Sequence, residues 1–140
     1  MTVPSALGRP RGVPWRARTA ARIAVGAAFV LGLLPPRRLR AVLAVACRGA
    51  RAATYAEAEA ARDAVLAVSL TCLGGHGCLP RSLATALLCR MRGSWPTWRA
   101  GARTRAPFGA HAWVEAEGRV VGESTPKGYL APLVTVAPRS

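Results

Sequence analysis

The spacing of apolar positions changes twice along this 140-residue chain, and each change marks a different kind of structure. Residues 1–18 show no apolar period. They hold three prolines, two glycines and four arginines, so a disordered basic tail is expected there. Residues 19–50 read as an N-terminal helical segment. Ala20–Leu34 is apolar and helical in composition, and Pro35-Pro36 stops it. Arg37–Arg48 resumes a helix, with Leu39, Val42, Leu43 and Ala46 on one face and Arg37, Arg38, Arg40 and Arg48 on the other. Such a helix packs on the domain and solvates its arginines, or it serves as a docking or membrane-surface element.

Thr54 followed by Glu57 predicts a capping box. The helix it opens runs through Ala64, Val65, Val68 and Cys72 and ends at Gly74-Gly75. A further helix begins at Cys78. Pro80 suits its first turn, Leu79, Leu83, Ala86, Leu87 and Arg90 fall at helical spacing, and Gly93 closes it. From Trp95 the period becomes two. Thr97–Thr104, Ala110–Ala116, Arg119–Glu123 and Leu133–Val136 read as strands, with breaks at Pro107, Gly109 and Glu117-Gly118. Helices first and an antiparallel sheet second make an α+β fold. No internal repeat is visible.

Composition narrows the function. The chain is 51% hydrophobic with four tryptophans, enough for one packed domain. No apolar run reaches the length of a membrane span. Ile23–Leu34 has the character of a short signal h-region. Pro35-Pro36-Arg37-Arg38 follows it where a small-residue cleavage site would be needed, so a cytoplasmic protein with reduced thiols is expected. The net charge is +14, and Lys127 is the one lysine among 20 basic residues. Residues 1–56 carry ten arginines and no acid, a half that attracts anionic surfaces of any kind. Asn and Gln are absent, which excludes a Cys-His-Asn triad and a Gln oxyanion donor.

Among Cys47, Cys72, Cys78 and Cys89, the third stands apart. It follows a glycine-rich loop and opens a helix, where first-turn N–H groups and the helix dipole favour a thiolate. A thiol nucleophile needs a base, and the chain has only His76 and His111. His76 shares the flexible loop with Cys78. His111 lies in a strand pattern with Trp113 and Glu115 on its face, the better place to hold an imidazole against a helix N-terminus. The imidazole then needs an acceptor, and Glu115, Glu117 and Glu123 are the nearby carboxylates. A two-residue turn at Glu117-Gly118 pairs 116 with 119 and points Glu123 away from His111. A three-residue loop, Ala116-Glu117-Gly118, pairs 115 with 119 and sets Glu123 beside His111. The second register is the one expected here, with Gly118 as its left-handed residue. The Cys78 N–H is one oxyanion donor; a second is not defined by the sequence.

Several motifs occur in order: Gly77-Cys78-Leu-Pro-Arg-Ser-Leu-Ala84, Trp95-Pro-Thr-Trp98, Pro107-Phe-Gly-Ala-His-Ala-Trp-Val-Glu115 and Gly118-Arg-Val-Val-Gly-Glu123, preceded by Ala53–Val65. Together they resemble the lasso peptide leader peptidases, the protease half of the split lasso peptide B protein. That family belongs to the transglutaminase-like, papain-like cysteine proteases, and the likeness spans residues 51–135. It implies a protease domain over 51–140 that removes the leader from a ribosomally made precursor peptide. It implies a separate leader-recognition protein as partner, with a lactam synthetase closing the macrocycle afterwards. It implies Cys78 as nucleophile, His111 as base and Glu123 as orienter, where the family usually carries Asp, and a pocket for a small β-branched side chain. No metal or organic cofactor is implied. Arg99 stands where the family often has a cysteine.

Two other readings stay open on the sequence. Cys72, His76, Cys78 and Cys89 could hold structural zinc, although their spacing matches no common finger. The basic charge could serve a nucleic-acid- or peptide-binding module, although the arginines are not interleaved with a set of exposed aromatics.

Overall fold

The computed structural model describes residues 12–69, 72, 77–104, 109–122 and 128–138. Among the described residues four helices come first: α1 (Trp15–Leu31), α2 (Pro36–Ala46), α3 (Tyr55–Val68) and α4 (Cys78–Met91). Two short strands, β1 (Arg51–Ala52) and β2 (Ser94–Trp95), pair in parallel. The main sheet is antiparallel in the order β5-β4-β3-β6, from β3 (Thr97–Arg103), β4 (Gly109–Ala116), β5 (Arg119–Val120) and β6 (Leu130–Val136). The expected α+β class is what the chain adopts. No helix among the described residues is long and apolar enough to cross a membrane.

Helix α4 lies at the centre. It packs against α1 and α3 on one side and against β2, β3 and β4 on the other. Its sequence permits this, because Leu83, Ala84, Ala86, Leu88 and Cys89 are all buried. Helix α1 meets the core through Ala21, Ala24 and Ala28, whose spacing puts three small side chains on one stripe. One apolar cluster runs from Ala21 to Val136, so both ends of the described chain close on a shared core. Two indoles tie the layers together. Trp95 Nε1 donates to Val136 O at 3.1 Å, and Trp98 Nε1 donates to Ser82 Oγ at 3.1 Å, which satisfies both buried donors.

Several element boundaries differ from the sequence expectation. Helix α1 starts at Trp15, inside the stretch expected as tail, and caps at Gly32 through an N–H to Ala28 O at 2.8 Å, before the prolines. Helix α3 stops at Val68, where Ser69 turns extended, four residues short of Cys72. Strand β5 has two residues where five were expected, and β6 begins three residues early. Pro132 sits within β6, which is tolerated because β6 is an edge strand with one ladder only.

The Thr54 capping box forms as the spacing predicts. Thr54 Oγ1 accepts Glu57 N–H at 3.1 Å, and Glu57 Oε1 accepts Thr54 N–H at 2.9 Å. Arg51 also donates to Glu57, and that contact first, with the Thr54 N–H second, holds the Glu57 carboxyl down to about 2. A depressed carboxyl stabilises the fold above its unfolded pKa, and that share is lost as pH falls toward 2. Thr54→Ala is expected to cost about 1 kcal/mol at neutral pH, measured by urea denaturation. An unchanged midpoint would mean that the cap contributes nothing.

Candidate active site

Cys78 is the first residue of α4, and Gly77 before it supplies no side-chain cap. The first turn therefore presents its amides and dipole to the sulfur itself. Opposite lies the free edge of β4. Val121 N–H donates to Val114 O at 2.9 Å, so the polar groups of Val114 point toward β5. Two residues earlier, those of Ala112 point the same way. Because β5 pairs only with Glu115 and Ala116, that edge is left uncovered, and the Ala112 N–H hydrogen-bonds to the Cys78 thiol. His111 is 5% exposed, and its side chain also hydrogen-bonds to the Cys78 thiol. The sulfur at the helix start and the imidazole on the strand are thus in contact.

The electrostatics favour a reactive thiol. Burial pushes Cys78 up, but the His111 hydrogen bond, the Ala112 N–H, and the charges of His111 and Arg81 together outweigh it. The thiol lies below the ordinary cysteine value. Two other thiols go the opposite way: burial raises Cys72 and pushes Cys89 up to about 11. Cys78 is half-buried, whereas Cys47, Cys72 and Cys89 are fully buried and reduced. Reactivity is accordingly confined to one sulfur.

Three further groups frame His111. Arg103 Nη2 lies 3.2 Å from His111 Nδ1. A guanidinium only donates, and Arg103 stands at the Nδ1 side of the ring. Trp113 stacks on the imidazole with centroids 5.8 Å apart and planes 15° apart. Gly101 pairs directly opposite His111, and a Cβ there would fall 2.0 Å from Ala131 O. The absent side chain lets the β6 backbone approach β3.

A cleft of about 400 Å³ includes Cys78 and His111 in its lining. Its walls are apolar: Leu34, Pro36 and Leu39 from the α1–α2 corner face Trp98, Ala100 and Val134 of the sheet. An extended peptide with an apolar side chain fits such a surface better than a charged ligand does.

The carboxylate expected beside His111 rests on a register that the hairpin does not adopt. Ala116 pairs with Arg119 and Glu115 with Val120, so the turn has two residues. Glu117 (φ 54°) and Gly118 (φ 75°) both take left-handed conformations, as a type I′ turn requires. The strand then ends: Gly122 turns at φ 72°, and any Cβ there would meet the Arg62 guanidinium at 2.5 Å. The described β4–β5 ladder ends at Val120. Glu123 itself, like His76, lies outside the described residues. The other two candidates are engaged elsewhere. Glu115 accepts the Trp113 indole N–H at 2.8 Å and lies 3.4 Å from Arg99, and Glu117 accepts the Tyr55 N–H at the start of α3.

The four-ligand zinc reading fails on geometry. Cys78 and Cys89 sit in one helix eleven residues apart, roughly 16 Å along its axis, so they cannot share an ion. No group of three His, Cys, Asp or Glu suited to a metal occurs among the described residues. Trp95, Trp98 and Trp113 are buried, which removes them as stacking platforms for nucleic-acid bases.

Arg103, the Ala112 N–H and the α1–α2 corner were not singled out from the sequence. Once β3 and β4 are paired, Arg103 lies diagonally across from His111 on the same face, but the pairing depends on a loop whose length does not fix a register.

A family model described as the transglutaminase-like superfamily matches residues 21–135. No curated protein and no solved structure matches the chain.

Proposed function

The chain belongs to the transglutaminase-like superfamily, which includes cysteine proteases, and from that premise we propose that it is a peptidase removing the leader from a lasso peptide precursor. The observation that carries the reading is the Cys78–His111 contact at the edge of an apolar, peptide-sized cleft. The motifs around Cys78, Trp98, His111 and Glu123 support the narrower substrate class.

In this account His111 takes the Cys78 proton, and the thiolate attacks the scissile carbonyl carbon. The oxyanion forms against the Cys78 N–H. The imidazolium then gives its proton to the leaving amine, which departs with the peptide segment after the cut. Water, deprotonated by His111, attacks the thioester, and the leader leaves as a free carboxylic acid. Glu123 is assigned the orienting role by its place in the Gly118–Glu123 motif. The leader-recognition protein presents the substrate, and the arginine-rich half of the chain, all its charge of one sign up to residue 56, suits an acidic peptide or partner.

The test incubates the protein with a lasso precursor and its recognition partner and reads the products by mass spectrometry. One cut at the leader–core junction, blocked by prior alkylation of Cys78, is expected. Intact precursor beside a Cys78 that alkylates readily would overturn the substrate assignment.

A further inference from the structure

The face of β4 that bears His111 carries a second device. His111, Trp113 and Glu115 alternate along the strand and share one side. Trp113 is 2% exposed, so its indole is fixed by packing. Its ring stacks on the imidazole at 5.8 Å between centroids, and its Nε1 donates to Glu115 Oε2 at 2.8 Å. Arg99 Nη1 lies 3.4 Å from that same oxygen, which pins the carboxylate from β3. We propose that Trp113, held in place by Glu115, is a positioning residue that favours the imidazolium form of His111 and thereby the thiolate of Cys78.

The physical reason is the charge distribution of the ring. The indole face is negative, and a cation within about 6 Å of its centroid is attracted to it. A neutral imidazole gains only stacking. The carboxylate on the indole N–H draws the donor's proton and enriches the ring further. The charged groups around His111 then oppose one another. Trp113 with Glu115 favours the imidazolium from β4, the Cys78 thiolate favours it from α4, and Arg103 opposes it from β3. Arg81, also on α4, acts on the sulfur. The inference deepens the peptidase reading, but its test does not need a substrate.

The experiment follows iodoacetamide alkylation of Cys78 against pH, by peptide mass spectrometry, in Trp113→Leu, Trp113→Phe and Glu115→Gln. Losing the indole makes the thiolate form at higher pH. Near pH 7, Trp113→Leu is expected to alkylate about five- to twentyfold more slowly than wild type, and Trp113→Phe and Glu115→Gln about two- to fivefold more slowly. The rate at high pH should not change, which separates this role from a collapsed fold. In a His111→Ala background, Trp113→Leu should have no further effect. A wild-type pH profile in all three variants would overturn the proposal. So would a loss equal at every pH, or an effect that persists without His111. A shifted profile with no precursor cleavage would sink the peptidase reading alone. An unshifted profile with cleavage intact would sink this inference alone.

Discussion

Cys78→Ala and His111→Ala are each expected to lower leader cleavage by at least about a thousandfold, and the double variant should be no worse than either single one. Nucleophile and base act as one unit: a sulfur without its base stays a thiol, and a base without the sulfur has no proton to take. The fold should survive both changes. Cys78 is half-buried at a helix start, and its sulfur fills no core site. His111 is buried, but it faces the cleft and the Trp113 ring. Rates come from mass spectrometry of precursor with the recognition partner present, and folding from circular dichroism. Full activity in either single variant would remove the assignment.

Gly101→Ala is expected to be as damaging, by a different route. The added Cβ would lie 2.0 Å from Ala131 O and 2.9 Å from Ala131 C, both backbone atoms that cannot rotate away. Strand β6 would have to leave β3 at the point where their register already shifts. With it would go the Val136 carbonyl that accepts the Trp95 indole and the Val134 wall of the cleft. A loss of about 3 kcal/mol or more is expected, in the range of buried backbone strain and core damage. Gly26→Ala is the control. Gly26 lies within α1, and a Cβ there meets nothing, so alanine should stabilise by about 0.5–1 kcal/mol. Thermal denaturation reads both. Equal melting temperatures for Gly101→Ala and wild type would show that β6 is not held as described.

The parts of this fold that are local in cause were legible in the sequence. A capping box at Thr54, a helix opening at Cys78 and a strand through His111, Trp113 and Glu115 each follow from a few adjacent residues. The parts that depend on distant contacts were not. Strands β1 and β2 hold two residues each and pair across more than forty residues of chain, so neither shows a period. The hairpin departs from the three-residue loop expected, in which Gly118 alone was to be left-handed. Glu117 takes that conformation while its carboxylate reaches the Tyr55 N–H on α3, a contact outside the hairpin. The cleft wall at Leu34, Pro36 and Leu39 forms because α1 packs on α4, which no local pattern records.

The central claim is that Cys78 and His111 form a working acid–base pair, and the pH dependence of Cys78 alkylation, with and without His111, tests it most directly. In wild type the half-maximal rate should fall below the value near 8.5 of a free cysteine. In His111→Ala it should move up, since burial would then act on the thiol with less to offset it. Superimposable profiles for the two proteins would contradict the account.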